Sequence, residues 1–149
     1  MPLKVGDVAP DFELMNQNKE KVKLSSLRGK RVVLLFYPMD FSPVCTAEHC
    51  EFTPNLGKFA GANTVVFGVS CDSPFCHEAY KKQYNIGYDL LSDVKREVVK
   101  KYDLFLGEEP FNCGKRGTVV IDEAGKIAHW HEQPVLEARK VEALAAAAK

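Results

Sequence analysis

The run Arg31-Val-Val-Leu-Leu-Phe-Tyr37 limits the fold more than any other part of this sequence. It is apolar without alternation, rich in β-branched residues, and shorter than an ordinary helix, which suits a strand covered on both faces. Such a strand needs a packed layer above it and another below. A chain of 149 residues, 46% of them apolar, has material for one core of that kind and hardly for two. The sequence therefore reads as a single domain over residues 1–149 with residues 31–37 as its central strand.

The flanking patterns supply the layers. Residues 11–14 and 21–24 read as short strands across the polar turn Asn16-Gln17-Asn18-Lys19, an N-terminal β-hairpin. A helix is expected over residues 43–59, a strand over 64–70, a helix over 74–84, a short strand around Leu90 and a helix over 95–102. Residues 118–122 and 126–131 flank Asp122-Glu-Ala-Gly125, a tight-turn signal that makes them an antiparallel pair. An amphipathic helix over residues 136–149 closes the chain. Alternating strands and helices with an antiparallel hairpin near the end imply an α/β fold with a mixed sheet and helices on both faces. No repeat or linker interrupts it. Folds of this class carry many activities, so function has to come from a site.

Charge narrows the choice of partners. Twenty Lys and Arg balance twenty Asp and Glu, which removes the broad attraction that nucleic acid or an anionic membrane would use. The N-terminal stretch has no signal-peptide core, and no window reaches the roughly eighteen apolar residues of a membrane span. The expected location is the cytoplasm. Five cysteines (Cys45, Cys50, Cys71, Cys76 and Cys113) are an odd number in a chain large enough to fold without staples. They read as redox groups, metal ligands or core residues rather than a disulfide framework.

Directly after the central strand comes Pro38-Met39-Asp40-Phe41-Ser42-Pro43-Val44-Cys45. Ser42 is a favoured N-cap and Pro43 a favoured first helical residue, so Cys45 falls third in the helix. Free backbone N–H groups and the positive end of the helix dipole would there favour thiolate over thiol, making Cys45 a nucleophile. The alternative is a buried, unreactive thiol that happens to open a helix. Cap spacing alone does not decide, because Ser73-Pro74-Phe75-Cys76 repeats the layout. Cys76 lacks the upstream proline and reads as structural.

Pro38, Ser42 and Cys45 match the Pro-x-x-x-Thr/Ser-x-x-Cys pattern of the peroxiredoxins, the AhpC/TSA thiol peroxidases of thioredoxin-like three-layer α/β/α fold. The resemblance runs from Gly6-Asp-Val-Ala-Pro-Asp-Phe12 through Phe67-Gly-Val-Ser-Cys-Asp-Ser73 to Arg116-Gly-Thr-Val-Val-Ile-Asp122. It implies that Cys45 attacks a hydroperoxide, Ser42 hydrogen-bonds it, Pro38 shields the sulfur, and Arg116 supports sulfur and substrate. Donors aimed at the peroxide oxygens would stabilise charge moving onto the leaving oxygen. Glu48 is placed either to orient Arg116 by an ion pair or to stand as an ordinary exposed helix carboxylate. The substrates implied are hydrogen peroxide and small organic hydroperoxides, and the reductant a thioredoxin- or glutaredoxin-type protein. Neither metal nor bound cofactor is implied.

Within that family the sequence resembles the bacterioferritin-comigratory, or PrxQ-like, group, some of whose members carry a resolving cysteine five positions on, here Cys50. Five residues of helix separate two Cα atoms by roughly 8–9 Å, beyond the about 7 Å that a disulfide spans, so a Cys45–Cys50 bridge requires unwinding. Cys113, three residues before Arg116, is the second choice of resolver; the alternative to both is a one-Cys peroxidase in which an external thiol reduces Cys45 directly. Cys71 reads as a small core hydrophobe. The pairs Cys45/Cys50 and Cys71/Cys76, with His49 and His77 beside them, fit zinc poorly, since chelating knuckles usually place two residues between ligands on turns. His129 and His131 share one strand face and read as surface. The resemblance implies a monomer or homodimer, and no long C-terminal extension of the ring-forming type follows the last expected helix. A thiol–disulfide oxidoreductase would need a dithiol with two intervening residues, which is missing. A peroxide sensor or holdase using the same thiol switch stands as the alternative outside enzymes.

Overall fold

Side chains alternate across the central strand, and the two faces they reach define the layers. The computed structural model describes residues 3–148. Strand β3 (Arg31–Phe36) sits inside a seven-stranded mixed sheet with β1 (Glu13–Met15), β2 (Lys21–Lys23), β4 (Thr64–Ser70), β5 (Asp89–Ser92), β8 (Arg116–Ile121) and β9 (Ile127–Gln133). The order is β2-β1-β5-β4-β3-β8-β9. β3 runs parallel to β4 and β4 parallel to β5, whereas β8 lies antiparallel to β3, with Phe36 opposite Gly117. That register brings Arg116 to the C-terminal end of β3.

On one face Val32, Leu34 and Phe36 pack with Val98, Val99 and Tyr102 of and around α4 (Glu97–Lys101). On the other, Val33, Leu35 and Tyr37 pack beneath α1 (Pro43–Phe52), α2 (Leu56–Phe59), α3 (Pro74–Tyr84) and α5 (Val141–Ala147). Burial of this continuous strand on both faces is the reason its sequence shows no polar alternation.

Several element boundaries differ from expectation. The helix expected over residues 43–59 ends at Phe52, because Pro54 supplies no N–H to the ladder. The backbone N–H and the hydroxyl of Thr53 both donate to the His49 carbonyl there, the hydroxyl at 2.9 Å. A 3-10 turn over Thr53–Asn55 then leads into α2. The last helix begins at Val141 instead of residue 136, since the backbone N–H of Arg139 is pinned on Glu48 at 2.6 Å. Its expected end at Lys149 lies outside the described residues. A small ladder between β6 (Phe105–Gly107) and β7 (Cys113–Gly114) was not expected, and strands this short leave no periodic signal.

Candidate active site

The strand-to-helix junction is built by three local features. Pro38 is buried at the end of β3. Phe41 turns the chain in the left-handed region, φ 66°, with its ring tilted against Tyr80 at 4.8 Å between centroids. Ser42 is the N-cap residue, with extended backbone, and Pro43 opens α1. The expected side-chain cap is not made: the Ser42 hydroxyl donates to the Met39 carbonyl at 2.8 Å, within its own loop. Its lone pairs face no helical N–H, and the first turn of α1 keeps its donors for something else.

Cys45 exposes none of its surface. One Arg116 Nη lies 3.3 Å from its sulfur, reaching across from β8. The other Arg116 Nη donates to Glu48, and Arg116 Nε donates to the Val135 carbonyl at 2.9 Å. Glu48 is 1% exposed, so the ion-pair reading holds and the exposed-carboxylate reading does not. A second guanidinium completes the arrangement. Arg139 donates from Nε to Glu48 Oε2 at 2.9 Å, from Nη2 to Oε1 at 3.1 Å, and from Nη1 to the Gly117 carbonyl at 2.6 Å. Sequence reasoning missed Arg139, which stands in a stretch taken for helix and belongs to no motif. Two buried guanidiniums around one carboxylate leave a net positive charge in a buried pocket. Negative charge forming on the sulfur, or on an oxygen against it, balances that excess.

Cys76 shows what the junction alone supplies. It too stands third in its helix, and here the Ser73 hydroxyl does accept from the Cys76 N–H at 3.1 Å. Burial and the carboxylates of Asp40 and Asp72 nevertheless push its thiol up to about 12. Cys71 is likewise pushed up to about 12, by burial and by Asp93. Burial first, then Asp72 and Cys45, raises buried Cys113, which places that thiol within electrostatic reach of Cys45. Cys50 is exposed while Cys45 is buried, so the two thiols of α1 face apart.

The histidines expected near the cysteines are engaged by other groups. His77 Nδ1 lies 2.6 Å from Asp40 Oδ2 and its Nε2 donates to the Leu91 carbonyl at 3.0 Å. Asp40 also accepts from the Tyr37 hydroxyl at 2.6 Å, which ties the loop before Ser42 to β3 and α3 together. Asp40, Asp72 and His77 stand close enough to share an ion, but these hydrogen bonds already occupy the imidazole. His49 is wholly buried, with Nδ1 bonded to the Tyr88 hydroxyl. The His129 and His131 rings lie 6.3 Å apart and tilted on β9.

Residues 5–130 match the model of the AhpC/TSA family. The chain belongs to that family. It is 37% identical over 142 residues to Peroxiredoxin Bcp of Bacillus subtilis, covering 91% of this chain and 89% of that one. Among solved structures it superposes on peroxidoxin BcpB of Mycobacterium tuberculosis with a TM-score of 0.84 at 29% identity, covering 97% of this chain and 96% of that one. The reduced 2-Cys peroxiredoxin of Plasmodium vivax gives a TM-score of 0.86 at 31% identity, covering 97% and 79%. The fold is thioredoxin-like, with the mixed central sheet expected. This peroxiredoxin is a thiol peroxidase, an oxidoreductase that reduces a peroxide at the expense of a thiol reductant. Among the described residues, no helix is long and apolar enough to cross a membrane.

Proposed function

We propose that Cys45 is the peroxidatic residue and that Ser42, Pro38, Arg116 and Glu48 serve it, with hydrogen peroxide and small organic hydroperoxides as substrates. The observation that carries this reading is the Arg116 N–H at 3.3 Å from the Cys45 sulfur, inside a buried cluster with excess positive charge. The sulfur attacks the terminal peroxide oxygen, the O–O bond breaks, and an alcohol or water leaves with the proton, giving Cys45 sulfenic acid. Charge developing on the leaving oxygen is met by the guanidinium without reorganisation, since Glu48 holds it in place. Ser42 keeps its lone pairs for the peroxide O–H because its own proton is spent on Met39. Pro38, buried at the strand end, keeps water from the sulfur. With Cys45 unexposed, only a small substrate enters without a large movement of the 38–42 loop.

Cys50 is the resolving thiol in this reading. Its sulfur attacks the sulfenic sulfur, an S–S bond forms and water leaves; an external dithiol protein of thioredoxin or glutaredoxin type then reduces the bridge. The intact α1 holds the two Cα atoms roughly 8–9 Å apart, so its first turns unwind in this step. The chain works as one domain, as a monomer or homodimer, in the cytoplasm. Mass mapping after one equivalent of peroxide tests nucleophile and resolver together. A Cys45–Cys50 bridge is the expected product; Cys45 joined to Cys113, or to a second chain, removes Cys50 from the mechanism.

A further inference from the structure

The ring closed by a Cys45–Cys50 disulfide would contain only Thr46, Ala47, Glu48 and His49 between its cysteines. The bridge requires α1 to unwind within this segment. His49 leaves a buried place when it does. In α1 the imidazole is 0% exposed, set edge-on to Tyr37 of the β3 end at 4.4 Å and packed against Tyr80 of α3 and Tyr88, each at 5.6 Å. The Tyr88 hydroxyl serves Nδ1, and Nε2 meets no hydrogen-bond partner among the described residues.

No free negative charge faces His49 among the described residues to balance a second proton on it. Tyr37, Tyr80 and Tyr88 are neutral phenols held so by burial. Arg139, Arg116 on β8 and His77 on α3 bear on it with positive charge or the capacity for it, and Glu48 beside it is already spent on both arginines. Burial and these cations hold its pKa down at about 3. Unwound into water, the same imidazole recovers an ordinary value of about 6.5.

We propose that His49 makes the oxidative unwinding of α1 proton-driven, so that mild acid favours the open, disulfide-competent form and neutral pH the closed, peroxide-competent form. This rests on the Cys45–Cys50 reading. A group whose pKa is depressed in the closed form and ordinary in the open one binds protons only on opening. Below about pH 6.5 each falling unit therefore favours opening by about tenfold, down to the closed-form value. Between pH 7.5 and 5.5 the opening constant rises about tenfold in all. Of the four residues in the ring, His49 alone ordinarily titrates in that window.

Histidine NMR on the wild-type chain tests this without substitution. In the reduced chain His49 stays unprotonated from pH 7.5 to 4.5; in the chain carrying the mapped Cys45–Cys50 bridge it titrates near 6.5. A silent His49 in the bridged chain overturns the proton linkage and leaves the resolving role of Cys50 standing. Absence of the bridge overturns both. As a kinetic check, the resolution rate of wild type is divided by that of His49→Phe, and of His49→Gln, which cancels the ionisation of the attacking thiol. The ratio rises about tenfold from pH 7.5 to 5.5; a ratio that does not change with pH counts against the proposal.

Discussion

Cys45 and Cys76 each stand third in a helix opened by Ser-Pro, yet Cys45 meets the Arg116 guanidinium at 3.3 Å whereas Cys76 faces the carboxylates of Asp40 and Asp72. The helix start is common to both thiols, and the sign of the neighbouring charge is what separates them. Cys45→Ser should abolish peroxide turnover in a coupled reductase assay, while Cys76→Ser and Cys71→Ser should retain most of it. With their thiols pushed up to about 12, Cys71 and Cys76 in the folded chain should resist a pulse of iodoacetamide at pH 7.5 that labels both fully in urea. Rapid labelling of Cys76 in the native chain would show that the carboxylates do not control it.

The two arginines should separate kinetically. Arg116→Met removes the donor on the sulfur and should slow the peroxide step by about 10²–10³-fold, read by stopped-flow, with the fold intact. Arg139→Met leaves Cys45 its donor and leaves Glu48 the backbone N–H of residue 139, but strips Glu48 of two guanidinium donors at once. Breaking a buried pair of this kind costs about 3–5 kcal/mol, so its main signature should be a fall in urea midpoint. Equal loss of rate and equal loss of stability in both variants would mean that the cluster acts as one unit.

Oxidation should be visible in the backbone. Amide exchange over Pro43–Phe52 should rise when the Cys45–Cys50 bridge forms, while Arg31–Phe36 at the sheet centre stays protected. Cys50→Ser should abolish that rise and leave Cys45 as sulfenic acid, open to overoxidation. A bridged chain with α1 still protected would contradict the distance constraint.

Asp72 gives a pH dependence of stability with a definite sign. Burial and the neighbouring Asp40 carboxylate raise it, so the folded chain holds its proton more tightly than the unfolded chain does. The stabilisation is fully present below about pH 4 and is lost as pH rises through the folded value. Asp72→Asn, which can still accept from Ser70 and from the Asp40 N–H, should remove that part of the slope and be at least as stable as wild type at pH 7. Urea midpoints from pH 4 to 7 measure it; a variant whose slope matches wild type would place the perturbed proton elsewhere.

Much of this was legible in the sequence because local chemistry dictated it. The uninterrupted apolar run marked the doubly covered strand, and Ser-Pro pairs marked the starts of α1 and α3 at the observed residues. Pro54 could have warned that no single helix spans residues 43–59, since a proline inside a helical pattern breaks its ladder. Cys45, Ser42, Pro38 and Arg116 could be named from a motif and a resemblance. Arg139 could not. Its position depends on a chain reversal after β9 that carries its backbone N–H onto Glu48, a contact between residues ninety-one positions apart. The depth of Glu48 was hidden for the same reason, because a carboxylate looks like surface until both its cations are in place.

The burial of Arg116, Glu48 and Arg139 also bears on the solution conditions the chain tolerates. Mobile ions weaken interactions between charges that share the solvent, over about 8–10 Å at ordinary ionic strength. These three side chains are nearly excluded from it, at 1%, 1% and 4% exposure. Dissolved salt has little access to the field they set up around the sulfur, whereas surface pairs such as Lys115–Glu132 lie open to it. The attack on peroxide is therefore shielded from changes in ionic strength that would alter how the charged surface of the same molecule meets its reductant.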